Sequence, residues 1–98
     1  MARKPRFEWD AAKARSNLDK HGVAFEDAEI VWSDPLHLVR FDRIDGGEER
    51  WHALGVVAGV VLLMVVHTYP GNGDDVIRIV SARRATRGER SAYEDDDF

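Results

Sequence analysis

Val76-Ile77-Arg78-Ile79-Val80-Ser81-Ala82-Arg83-Arg84-Ala85-Thr86-Arg87-Gly88-Glu89-Arg90 is the stretch of this 98-residue sequence that decides the fold. It opens as an apolar, largely β-branched run broken by Arg78, the pattern of a strand inside a sheet. Thr86 and Glu89 then stand at capping-box spacing, which predicts a helix start. The arginines at 78, 83, 84, 87 and 90 therefore straddle a strand end and a helix start. Backbone amides and guanidinium groups can jointly hold a phosphate at such a junction.

Upstream of this stretch the pattern is also that of strands. Val60 to Tyr69 is apolar on both faces, as expected of a central strand, and Pro70 to Asp75 is a loop. Arg50 to Val57 is a further strand, and Ala58-Gly59 permits a tight turn. His37 to Asp42 alternates, with His37, Val39 and Phe41 facing one way and Leu38, Arg40 and Asp42 the other. Asp45-Gly46-Gly47 marks another turn. Turns this short force antiparallel neighbours.

At the start of the chain, Phe7-Glu8-Trp9 reads as a short strand and Asp10 as the N-cap of a helix from Ala11 to Lys20. Ala11, Ala14 and Leu18 share one face of that helix, and Lys13, Asn17 and Lys20 another. Lys20-His21-Gly22 is a suitable end, with cations at the negative pole and a glycine for the left-handed cap. Phe25 to Trp32 predicts a second short helix, stopped by Ser33-Asp34-Pro35. The expected fold class is α+β. It comprises a twisted antiparallel four-stranded sheet plus a short N-terminal strand, with two N-terminal helices and one C-terminal helix packed on one face.

The size allows one domain, residues 1–98, with an ordered core over 6–93. The formal net charge is -4, and Glu94, Asp95, Asp96 and Asp97 supply four negative charges. Without them the body is neutral but uneven, basic at the N-terminus and over 78–90. The tail 94–98 reads as a solvated, disordered end; the alternative is an internal nucleic-acid mimic that covers the basic site. Cysteine is absent, so disulfide and thiolate chemistry are excluded, and a cytoplasmic location is expected. The longest apolar run, Val56 to Val66, is too short to cross a bilayer as a helix.

Three blocks together resemble one family. The first is Phe7-Glu8-Trp9-Asp10 with Lys13, Asn17, Lys20-His21-Gly22-Val23, Phe25-Glu26 and Ala28. The second is Glu49-Arg50 with Gly55. The third runs from Ile77 to Thr86 with Glu89-Arg90 and Tyr93-Glu94. The chain is similar to the BrnT toxins of bacterial type II toxin–antitoxin pairs. The resemblance implies a RelE-like fold, ribonuclease activity and growth arrest through inhibition of translation. It also implies a cognate ribbon-helix-helix antitoxin similar to BrnA, with operator DNA bound only through the toxin–antitoxin complex. The run Asp95-Asp96-Asp97 departs from the family.

Metal-independent RNA cleavage needs a base for the 2′-hydroxyl, an acid for the leaving 5′-oxygen, and cations for the phosphorane-like transition state. Arginine suits the last role because its fork matches phosphate oxygens and stays charged. The expected catalytic residues are Arg83, Arg50, Arg84, His67 and Tyr93. The expected RNA-binding residues are Arg78, Arg87, Arg90, Lys20 and His21. Arg83 and Arg84, adjacent on a strand, face opposite ways, and Arg83 is the favoured phosphate ligand. Each residue also has a plainer reading. Arg50 would be paired with Glu48 or Glu49, and His67 and His52 would be core or rim side chains. Lys20 and His21 would complement the helix dipole, Tyr93 would anchor a helix to the sheet, and Glu89 would be the capping partner of Thr86. No two histidines have metal-binding spacing, so no metal or other cofactor is expected. The competing function is a catalytically weak RelE-like module that acts mainly as antitoxin partner and corepressor.

Overall fold

The chain runs β1 (Arg6–Glu8), α1 (Ala11–His21), α2 (Phe25–Ala28), a 3₁₀ turn (Glu29–Ser33), β2 (Leu38–Asp45), β3 (Glu48–Val57), β4 (Val61–Thr68), β5 (Val76–Arg84) and α3 (Arg87–Glu94). A computed structural model describes residues 4–71 and 73–98. Met1–Arg3 of the basic N-terminus and Asn72 of the expected loop lie outside the described residues.

Two tight turns fold β2, β3 and β4 into a meander. Gly46 and Gly47 both take positive φ (59° and 78°), as do Ala58 and Gly59 (55° and 69°). That is the mirror-image geometry whose twist matches flanking strands. Ala58 adopts it without being glycine, and this carries a steric cost.

The sheet order is β1-β5-β4-β3-β2. The pairs β2–β3, β3–β4 and β4–β5 are antiparallel, but β1 runs parallel to β5. The sheet is thus mixed, not antiparallel throughout. No short turn links β1 to β5; the helices and the whole meander separate them, so nothing forces them to oppose.

The two faces of the sheet differ. On one, α2 and the 3₁₀ turn cover Ala53, Leu63, Val65, Ile79 and Ala82 with Phe25, Ala28 and Val31, and α1 packs alongside with Ala14. On the other, Tyr93 of α3 and Phe98 pack on Leu54, Leu62 and Met64. The expectation of helices on one face therefore fails for α3. Ala85 still donates its N–H to the Leu62 carbonyl and packs against that second cluster, so the helix capped by Thr86 starts on that side. The second predicted helix is α-helical only to Ala28 and tightens to a 3₁₀ turn before Asp34.

Asn17, read from the sequence as sharing a face with Lys13 and Lys20, is buried. Its side-chain amide donates to the carbonyls of Val23 and Ala82 (both 2.9 Å), and its oxygen accepts from the Ala82 N–H (3.0 Å). Pairing with β1 covers only Val76 to Arg78 of β5. Asn17 satisfies the backbone further along that edge, where an unmet buried group would be costly.

Candidate active site

The sheet face that carries α3 holds two rows of polar side chains beyond the helix. Strand register sets the first row. Arg78 lies opposite Thr68, and Arg43 opposite Arg50. Continuing the β3–β4 register one step places Thr68 opposite Arg50. The second row is Ser81 opposite Val66, Val66 opposite His52, and His52 opposite Arg40. Arg83, opposite Met64, opens the third row, where the apolar cluster under α3 begins. Rows two residues apart along a strand are separated by about 7 Å.

Arg83 is fixed by a two-pronged ion pair. Its guanidinium donates to both oxygens of Glu89 at 2.8 and 2.9 Å. Glu89 also accepts from the Thr86 N–H (2.9 Å), while its own N–H bonds the Thr86 hydroxyl, completing the capping box. The hydrogen bonds from Arg83 pull the Glu89 carboxyl down to about 2, and those to Glu89 raise Arg83 further. A guanidinium held this way has a fixed orientation, with its charge balanced by Glu89.

His52 is half-buried beside this pair. Its Nε2 lies 3.4 Å from Asp42, and its Nδ1 is buried with no partner among the described residues. Burial lowers its pKa; Asp42 opposes the shift, and Arg40 and Arg83 add to it. The imidazole is thus neutral near pH 7 and able to accept a proton. Arg50 Nε and Thr68 Oγ1 are also buried with no hydrogen-bond partner among the described residues. Arg78 is held between Glu8 (2.8 Å) and Glu48 (3.9 Å).

The remaining expected residues lie apart from this arrangement. Arg84 lines a small depression on the opposite face with Gly22, Val23, Asp27 and Val57. His67 is opposite Trp51 on the helix-covered face and fully buried. Its ring stacks edge-on against Trp32 and Tyr69, and burial lowers its pKa to about 4. The Tyr93 hydroxyl donates to Asp34 at 2.5 Å, an anchor that pushes the phenol up to about 12. Lys20 and His21 end α1 and flank a shallow depression with Lys13, Asn17 and Val80. Arg87 and Arg90 are exposed on α3. Among the described residues no group of three or more His, Asp or Glu side chains is placed to hold a metal ion.

The family model described as "Ribonuclease toxin, BrnT, of type II toxin-antitoxin system" matches residues 9–89. The chain belongs to the BrnT family. Its fold is similar to the crystal structure of the Brucella abortus ribonuclease toxin BrnT, with a TM-score of 0.59 and 24% identity. That likeness covers 85% of this chain and 99% of the Brucella one. No curated protein matches the sequence. An antitoxin partner follows from membership in a type II toxin–antitoxin family. The matched residues of this BrnT chain include Arg50, His52, Arg83 and Glu89 and stop short of Tyr93. Arg40 and Asp42 share this face with His52 and are not among the residues expected from the sequence. Their signal was the alternation of β2, which already set both on the face opposite Val39 and Phe41.

Proposed function

We propose that this BrnT-family chain is a metal-independent endoribonuclease whose catalytic surface is the sheet face that carries α3. The observation that carries the reading is that register brings Arg83, His52, Arg40 and Arg50 onto one face beside the Arg83–Glu89 pair. Arg50 and Arg78 grip the phosphates that flank the scissile bond. Neutral His52 takes the 2′-hydroxyl proton, the 2′-oxygen attacks phosphorus, and Arg83 stabilises the charge that accumulates on the non-bridging oxygens. The bond to the 5′-oxygen breaks, that oxygen takes a proton from water, and a 2′,3′-cyclic phosphate remains. His67, Arg84 and Tyr93 take structural roles in this scheme. Loss of RNA inhibits translation in the cytoplasm, and a ribbon-helix-helix antitoxin similar to BrnA neutralises the toxin and carries the complex to operator DNA. The fold likeness and the family's ribonuclease description support this reading.

Expression of the chain alone tests it. Growth arrest with fragmented RNA carrying cyclic phosphate ends is expected, and unimpaired growth with intact RNA refutes it. One observation favours a second reading, a catalytically weak corepressor: the fork of Arg83 is already occupied by Glu89. That reading expects DNA retardation with the antitoxin present and no RNA cleavage.

A further inference from the structure

The opposite sheet face carries a second surface, which catalysis does not use. Rings touch in an unbroken series across it. Phe7 meets Trp32 (5.3 Å between centroids), Trp32 meets His67 (4.9 Å), and His67 meets Tyr69 (5.1 Å). Tyr69 meets Trp51 (5.5 Å), and Trp51 meets Phe41 (5.6 Å). The series starts in the core and ends at the surface. There β2, an edge strand, shows Val39, Phe41 and Ile44 at 38%, 46% and 65% exposure. All three lie on the same face, because they oppose Ala53, Trp51 and Glu49 of β3. An edge strand with a bare apolar row is a template for another chain.

A groove of about 430 Å³ opens along this series, lined by Trp32, His37, Val39, Tyr69, Asp74 and Asp75. Burial raises the Tyr69 phenol, and the nearby Asp74 carboxylate adds to the shift. The groove therefore combines aromatic faces with carboxylates at one end. That combination suits a guanidinium or ammonium group carried on an apolar segment. Its charge repels phosphate, and a second copy meeting it face to face would set one acidic rim against another.

We infer that this groove and the adjoining Val39–Phe41–Ile44 row form the docking surface for the antitoxin. The antitoxin binds through an apolar segment that places an arginine or lysine between Tyr69, Asp74 and Asp75. The inference rests on the antitoxin partnership and specifies where on the toxin it is made. Toxin and antitoxin then meet on the face away from Arg83 and His52, so the two sites can be disabled separately.

The test uses the full chain and its cognate antitoxin, with complex affinity, RNA cleavage and oligomeric state measured in parallel. The variants are Phe41→Asp and the double change Asp74→Lys/Asp75→Lys, both at exposed positions. Each is expected to weaken the complex by about 10-fold or more. The lysine pair should lose less in high salt, and RNA cleavage by the free toxin should be unchanged. A complex of wild-type affinity in both variants overturns the inference. Loss of RNA cleavage with the complex intact assigns the row to RNA and also overturns it. Loss of a homodimer with the antitoxin complex intact assigns the row to self-association, with the same consequence. If the wild-type chain forms no complex, the partnership itself fails and the docking surface with it. If wild-type and variant chains alike leave RNA intact while the variants lose the antitoxin, only the ribonuclease proposal falls.

Discussion

His67 makes the stability of this protein depend on mild acid. In the fold it is fully buried between Trp32 and Tyr69, and burial lowers its pKa from 6.5 to about 4. The unfolded chain binds a proton near 6.5 that the folded chain refuses until about 4. The stabilisation is therefore complete above the unfolded value and is lost as pH falls through that window. At roughly 1.4 kcal/mol per tenfold, the loss between pH 7 and pH 4 is about 3 kcal/mol. His52 shifts in the same direction and adds to it. Glu89, held at about 2 by Arg83, adds its own loss as pH falls from the ordinary carboxylate range toward 2, so it overlaps the acid end of the histidine window and continues below it. The assay is urea unfolding across the window, for the wild type and for His67→Phe, with histidine ring signals followed by NMR. The wild type should lose stability steeply and His67→Phe much less. A flat stability profile, or a His67 ring that titrates near 6.5 in the folded protein, would refute the argument.

Three substitutions test the scaffold. Asn17→Ala strips partners from the Ala82 backbone and the Val23 carbonyl, and should cost at least about 3 kcal/mol in chemical denaturation. Gly55→Ala puts a methyl 2.8 Å from Val31 Cγ1 and 3.0 Å from its carbonyl. It should destabilise by about 1–3 kcal/mol, read as a lower melting temperature. Ala58→Gly relieves a left-handed residue at φ 55° and should stabilise by roughly 0.5 kcal/mol, measurable as a small rise in denaturant midpoint.

Much of the sheet was legible because two signals agree there. Period-two alternation marks β2 and β3, and the glycines of the turns at 45–47 and 58–59 take the positive φ that glycine favours, with Ala58 the exception. The parity of Ser81 and Arg83 likewise placed both on one face, apart from Arg84. What stayed hidden depends on contacts distant in sequence. Nothing local says that β1 runs parallel to β5, because the connection is the whole chain between them. Asn17 looks like a solvated helix position until the exposed edge of β5 is known to need it. His67 and His52 sit in neighbouring strands, and only the register between β3 and β4 puts them on opposite faces. The side of the sheet taken by α3 depends on how Ala85 leaves β5, and that sets the Tyr93 hydroxyl on Asp34.

The central claim is that a fixed guanidinium on the α3 side of the sheet stabilises a cleaving phosphodiester. Cleavage of a defined RNA in excess chelator by wild type and Arg83→Ala, with both folds checked by circular dichroism, tests it most directly. Removing one such donor should lower the rate by roughly 100- to 1000-fold while leaving cyclic phosphate ends on any residual product. A folded Arg83→Ala protein that cuts as fast as the wild type would contradict it.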